Sequence, residues 1–78
     1  MIISIGNLPP DISELQLRDL FDNSHCIDSI KLVREGNDDR LLGLLYMDID
    51  AAFAEAIQHR FDGRWWHGRR LNVSLMFH

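Results

Sequence analysis

The chain has 78 residues, of which 46% are hydrophobic and 26% are charged, and its formal net charge is −4. This length predicts one small domain, residues 1–78, which buries only about 60% of the surface that its unfolded form exposes. The single cysteine, Cys26, excludes an internal disulfide framework, and no apolar run reaches the about 20 residues that cross a bilayer. We therefore expect an intracellular, cytoplasmic domain, or a nuclear one if the source is eukaryotic.

The charges are unevenly distributed along the chain. All twelve acidic residues lie between Asp11 and Asp62, and Arg64, Arg69 and Arg70 follow them. The net negative charge argues against a strong electrostatic attraction to nucleic acid. The basic final quarter is compatible either with nucleic-acid binding or with an ordinary solvated surface.

The first part of the chain predicts a strand and then a helix. Ile2–Ile5 is short and rich in β-branched residues, and Gly6–Pro10 ends it. Ser13 and Gln16 have the spacing of a helix capping box. Leu15 falls outside the apolar stripe of this helix and is expected to be exposed; the stripe itself consists of Leu17, Leu20 and Phe21.

The later elements are a hairpin, a second helix and a final strand. The strand over residues 27–33 precedes a turn-rich connection at residues 35–39, which predicts a hairpin with the next strand. Asp50 is placed to cap the second helix, and Leu71–Leu75 alternates as the last strand. Apolar residues recur at every fourth position of the second helix: Phe53, Ile57 and Phe61.

The strand over Arg40–Met47 has an unusual composition. It is a short apolar run with one glycine, Gly43, between polar turn-forming residues. Side chains alternate along a strand, so its residues divide into two rows, and neither row is polar. The rows are Leu42, Leu44 and Tyr46 on one face, and Gly43, Leu45 and Met47 on the other. One row belongs to the core, and the function depends on what covers the other.

The order β-α-β-β-α-β predicts an α+β, ferredoxin-like sandwich. A chain this short covers only one face of a four-stranded antiparallel sheet with its two helices. The residues predicted to face the helices are Ile3, Ile5, Ile30, Leu32, Leu45, Met47, Leu71, Val73 and Leu75. The residues predicted on the opposite, open sheet face are Ser4, Lys31, Val33, Leu42, Leu44, Tyr46, Asn72, Ser74 and Met76.

Two of the predicted strands contain signature-like stretches. Ile3–Leu8 on the first strand and Arg40–Met47 on the third resemble the six-residue and eight-residue signatures of the RNA recognition motif (RRM) family, with Gly43 at the small-residue position. Further stretches resemble the family at corresponding places: Pro9–Asp11, Leu17–Phe21, Asp62–Gly63 and Gly68–Val73. The resemblance implies the RRM fold and a non-catalytic, RNA-binding function.

The chain departs from the family where bases are stacked. RRMs stack bases on two or three aromatic rings of the open face, and the corresponding positions here are Ser4, Leu42 and Leu44. A base stacked on a ring contributes about 1–3 kcal/mol, so the loss of three rings removes roughly 3–9 kcal/mol. Tyr46, one step further on the same face, is a candidate to replace one ring.

The first functional hypothesis is a module that binds single-stranded RNA weakly. Its candidates for phosphate contacts are Lys31, Arg34, Arg40, Arg69 and Arg70. Its candidates on the open face are Ser4, Leu42, Leu44, Tyr46, Asn72 and Ser74, of which Tyr46, Asn72 and Ser74 are expected to contact bases.

The second hypothesis is a protein-interaction domain or homodimer. One version uses an apolar patch on the open face, formed by Val33, Leu42, Leu44, Tyr46 and Met76. The other uses Arg64-Trp65-Trp66, which resembles the Arg-x-Phe loop of the protein-binding branch of RRMs. That branch has an acidic first helix, for which this chain offers Glu14, Asp19 and Asp22. Trp66 is expected to seal the core, and Trp65 to point away from it.

The sequence contains no pattern for catalysis or metal binding. Cys26 and the four histidines show no CxxC or HxxxH spacing, and no nucleophile triad, phosphate loop or cofactor signature is present. We therefore expect no enzymatic activity, no cofactor, no metal and no membrane partner. The family resemblance favours RNA, whereas the missing rings and the net acidity favour protein, and RNA binding is the preferred prediction.

Overall fold

The computed structural model describes residues 1–21, 26–34 and 40–76. Its elements are β1 (Ile2–Leu8), α1 (Glu14–Leu20), β2 (Ile27–Arg34), β3 (Leu41–Met47), α2 (Ala51–Phe61), β4 (Trp65–Trp66), β5 (Arg69–Arg70) and β6 (Asn72–Met76). The main sheet is antiparallel with the strand order β2-β3-β1-β6, and β4 pairs with β5 in a small separate hairpin. The predicted ferredoxin-like fold is confirmed; the predicted hairpin connection at residues 35–39 lies outside the described residues.

Local sequence explains where both helices begin. The Ser13 hydroxyl accepts a hydrogen bond from the Gln16 backbone N–H at 3.2 Å, and the Gln16 side chain accepts one from the Ser13 backbone N–H at 3.0 Å. This is the predicted capping box. Asp50 caps α2 by accepting a 2.8 Å hydrogen bond from the Phe53 N–H. Both caps satisfy backbone donors that have no partner within the helix. Within the described residues, neither helix is long and apolar enough to cross a membrane.

Both helices pack on one face of the main sheet and enclose the core. Along β3 the alternation is unbroken, with Leu41, Gly43, Leu45 and Met47 buried and the three residues between them half-buried. Next to the helix ends, the rings of Phe21 and Phe61 lie with their centroids 4.6 Å apart. The core consists of Ile3, Ile5, Leu8, Ile12, Leu17, Phe21, Ile27, Ile30, Leu41, Leu45, Met47, Ile57, Phe61, Leu71 and Val73.

Gly43 leaves space for α1 above the sheet. A Cβ atom at this position would lie 2.9 Å from Cδ2 of Leu17 and 3.1 Å from Cδ1 of Leu8. Both leucines are completely buried, so their methyl groups have little room to move. A larger residue at position 43 would therefore force the side chains of Leu17 and Leu8 to shift.

β1 is longer than predicted because it contains a bulge. Ile5 pairs with Gly43 and Leu8 pairs with Leu41, so three steps along β1 match two steps along β3. Within the bulge Asn7 has a φ of 63°, a left-handed conformation that asparagine adopts more readily than most residues. The bulge turns Leu8 back to the helix side, where it is completely buried. The prediction that Gly6 ends this strand is therefore wrong.

One aromatic residue of α2 lies outside the core. Phe53 was predicted on the apolar stripe of this helix but remains 43% exposed. The buried stripe is formed by Ala54, Ile57 and Phe61 instead, and Phe53 lies at its edge, beside an apolar cleft of about 120 Å³. On α1, Leu15 is exposed, as predicted.

Candidate nucleic-acid interface

The open sheet face is organised in rows that cross the strands. The middle row, from β2 to β6, consists of Lys31, Leu44, Ser4 and Ser74. The row towards the end of β3 consists of Ser29, Tyr46, Ile2 and Met76. At the other end of the strands, Val33 pairs with Leu42, and Gly6 pairs with Asn72. All the open-face positions predicted from the sequence lie in these rows.

The apolar part of this face is only partly accessible. Leu42, Leu44 and Tyr46 are half-buried, whereas Val33 at the edge is 36% exposed and Met76 is 42% exposed. Both helices lie on the opposite face, so this partial burial does not come from the helices. Among the described residues of the face, Tyr46 carries the one aromatic ring.

Ile2 is a residue of this face that sequence reasoning missed. Its cross-strand neighbours are Tyr46 on one side and Met76 on the other. It is only 7% exposed, yet it does not belong to the core that the helices cover. The signal was present in the sequence, because Ile2 precedes Ser4 by two positions and therefore shares its face.

Arginine side chains lie where β1 ends and where β3 begins. Arg40 is exposed and directly precedes β3. The bulge residue Asn7 fixes the neighbouring hairpin: its Nδ2 donates to the Arg70 carbonyl at 2.9 Å, and its Oδ1 accepts from Nη1 of Arg69 at 3.3 Å. The bulge in β1 therefore holds Arg69 at the edge of the open face, beside the start of β6.

Replacing Asn7 with alanine is expected to lower the free energy of unfolding by about 1–2 kcal/mol. Alanine disfavours the left-handed conformation and makes neither side-chain hydrogen bond. Asn7→Gly keeps the backbone conformation accessible and should cost less. Urea denaturation of the two variants compares these losses, and an equal loss in both would contradict a role for the backbone conformation.

The structure does not bring all the predicted phosphate-binding residues together. Lys31 is exposed in the middle row of the open face. Arg34 pairs with Leu41, which points into the core, so Arg34 belongs to the row on the helix side. Arg34 is therefore on the opposite side of the sheet from Lys31, although both were predicted to contact phosphates. Arg70 is exposed on β5, and its guanidinium lies near Gly63 rather than over the sheet.

The two tryptophans differ in burial. Trp65 pairs with Arg70 and is 69% exposed. Trp66 packs against the core but is only half-buried, and its ring meets that of His67 edge-on at 4.4 Å between centroids. Trp66 therefore covers the core only in part, less than the sequence predicted.

The surroundings of this loop bear on the protein-binding alternative. The Arg64 guanidinium lies 5.3 Å from the centroid of the Phe61 ring, a cation–π distance. A polar cleft of about 380 Å³ is lined by Asp19 on α1 and by Arg64 and Trp66. Asp22, the third predicted acid of the first helix, lies outside the described residues. Across residues 1–21, 26–34 and 40–76 there is no group of three His, Cys, Asp or Glu side chains that could hold a metal ion.

Solved structures with a similar fold include RRM domains at low sequence identity. Pes4 RRM3 has a TM-score of 0.81 and 21% identity, covering 99% of this chain and 92% of that chain. The Mip6 RRM3 domain has a TM-score of 0.78 and 15% identity, and the match covers 94% of this chain and 88% of that chain. The Rna15 RRM with bound RNA (GU) has a TM-score of 0.73 and 18% identity, and the match covers 96% of this chain and 81% of that chain.

Sequence comparison gives the family directly. Curated protein sequences include no significant match to the chain. The sequence profile described as RNA recognition motif matches residues 3–72, which include β1 except for Ile2, both helices and the start of β6. With this match over most of its length, the chain belongs to the RNA recognition motif family.

Proposed function

We propose that this domain is a non-catalytic module that binds single-stranded RNA weakly through its open sheet face. The observation that carries the proposal is a sheet face left uncovered by the helices, with Arg40 and Arg69 at one end and Lys31 in its middle row. Membership of the RRM family supports it, as does the related fold of the Rna15 RRM with bound RNA (GU).

The residues of the face argue for low affinity. Ser4, Leu42 and Leu44 stand where the family resemblance places rings, and Tyr46 offers one ring beside Ile2 and Met76. One stacked base contributes about 1–3 kcal/mol, far less than a specific complex requires. The net charge of −4 also opposes phosphate binding. We expect dissociation constants in the micromolar range or weaker.

Each group on the face then has a simple role. Tyr46 stacks on one base, and the exposed Asn72 and Ser74 on β6 supply hydrogen bonds to base edges. Lys31, Arg40 and Arg69 contact phosphates, which position the strand without reading its sequence. Binding should therefore show little sequence preference.

The test is a fluorescence anisotropy titration with mixed-sequence single-stranded RNA at several salt concentrations. Arg40→Ala and Arg69→Ala should each weaken binding about three- to tenfold and reduce the salt slope by about one phosphate contact. Arg18→Ala on α1 removes the same charge from the helix side and should leave the affinity nearly unchanged. Tight, salt-insensitive and sequence-specific binding would overturn the proposal.

A second candidate function is protein binding. The observation that favours it is the apolar character of the open face at Leu42, Leu44 and Val33, which gives leucine and valine side chains in place of stacking rings. In the Arg64-Trp65-Trp66 version, Arg64 contacts Phe61 and Trp66 packs on the core. Trp65 is therefore the tryptophan of that loop that is exposed to a partner.

A further inference from the structure

The open-face side chains of β3 and the residues that flank it form a self-complementary row about Leu44. Leu44 lies in the middle, Leu42 and Tyr46 lie two positions away on either side, and Arg40 and Asp48 lie four positions away. Arg40 and Asp48 flank β3 directly, and the Asp48 N–H donates to the Cys26 carbonyl at 3.2 Å, so we extend the alternation of β3 by one residue at each end. Both terminal residues are exposed. The row therefore reads cation, apolar, apolar, apolar, anion.

We propose that the open face binds a second copy of this chain, with the two β3 strands stacked antiparallel about a twofold axis beside Leu44. This arrangement rests on the protein-binding candidate and specifies its partner. Arg40 of each copy then faces Asp48 of the other, and Leu42 of each copy faces Tyr46 of the other. A twofold interface requires such a self-complementary surface, because each contact is made twice.

The strands beside β3 are compatible with this register. Ser4 on β1 lies level with Leu44, so the two copies meet there through small side chains. Ile2 and Gly6 lie equally far from Ser4, so each Ile2 faces the Gly6 of the other copy, where no side chain competes for space. On β6 the same operation brings Met76 opposite Asn72, around Ser74 at the centre.

Lys31 opposes the association. It is level with Leu44 on β2, so two lysines approach each other near the twofold axis. β2 is an edge strand of the main sheet, and stacked sheets diverge at their edges because they pack at about 30°. The long lysine stem allows each ammonium to reach solvent at that edge. The lysines therefore weaken the dimer without blocking it.

The size of the face limits the strength of the dimer. Four strands and five residues along each strand cover roughly 20 Å by 17 Å in projection. That is well below the about 800 Å² per partner of a standard stable interface. The dimer should therefore form only at high micromolar to millimolar concentrations and dissociate when the chain is diluted.

Sedimentation equilibrium of the whole chain across that concentration range tests the proposal without RNA. Wild type should dimerise, and Leu44→Glu should be monomeric. Arg40→Asp and Asp48→Arg each replace two attractive pairs by two repulsive ones, so each should weaken the dimer about tenfold or more. An equimolar mixture of the two single variants should associate again, and so should the double variant R40D/D48R. All these positions lie outside the helix-packed core, and an unchanged melting temperature at high dilution confirms that each variant is folded.

The competing outcomes are distinct. A wild type that remains monomeric at millimolar concentration overturns the proposal, including the case in which residues 77–78 cover the face within one chain. Association that is insensitive to the charge exchanges also overturns it, because the register would then be different. RNA binding is measured separately: Asp48→Arg should weaken the dimer but not RNA binding, and Lys31→Ala should weaken RNA binding but not the dimer. The failure of one function therefore leaves the other testable.

Discussion

Replacing Gly43 with valine is expected to lower the free energy of unfolding by about 3 kcal/mol or more. The first added carbon would lie 2.9 Å from Leu17 and 3.1 Å from Leu8. Relief requires movement of one of these leucines, or of α1 itself, and both leucines are completely buried. A domain of this length has a stability of about 4–12 kcal/mol, so the change removes a large part of it.

The measurement is thermal and urea denaturation followed by circular dichroism. The expected loss corresponds to a decrease of roughly 12–24 °C in the melting temperature. Gly43→Ala, which adds the first carbon alone, should give a smaller loss of about 1–2 kcal/mol. Ser4→Val is the matched control because it adds bulk to the open face of the adjacent strand, where no helix lies above it. A similar loss in the control would show that close approach of α1 is not the cause.

Replacing Trp66 with alanine is expected to cost about 2–3 kcal/mol. A fully buried tryptophan would cost about 3–5 kcal/mol, but Trp66 is only half-buried where it packs against the core. Trp65→Ala, one residue away, should change stability by less than about 0.5 kcal/mol because that side chain is exposed. The two substitutions remove the same side chain from neighbouring positions that differ in burial. The ratio of the two losses in the free energy of unfolding therefore measures how much Trp66 contributes to core packing.

The same denaturation experiments give the answer for both tryptophans. A larger loss for Trp65→Ala than for Trp66→Ala would contradict the assignment. The two variants also separate stability from binding. If Trp65 contacts a partner, its replacement should weaken that interaction while the unfolding transition stays unchanged.

Alternation and capping patterns were enough to predict the fold and the sheet faces. The order of elements, the caps at Ser13 and Asp50, and the unbroken alternation of β3 all follow from short-range rules. The open face could be predicted for the same reason, because a regular strand divides its residues strictly between two sides. Which chemistry that face performs depends on partners, and strand patterns carry no such information.

The predictions failed where a single residue changes the backbone path or the register. Asn7 adds an extra residue to β1, which a strict alternation from Ile5 cannot anticipate. The β4–β5 hairpin depends on a two-residue turn in which His67 and Gly68 both have positive φ, and positive φ at a histidine does not follow from strand alternation.

The position of β1 between β3 and β6 has a consequence for biosynthesis. β1 is made first, yet one of its two edges is paired only by β6, the last described strand. At about 5–20 residues per second, that edge stays open on the ribosome for roughly 3–13 s. An apolar strand with an unpaired edge is prone to incorrect association. The period of greatest risk for this chain therefore falls during its synthesis, and release of the last strand ends it.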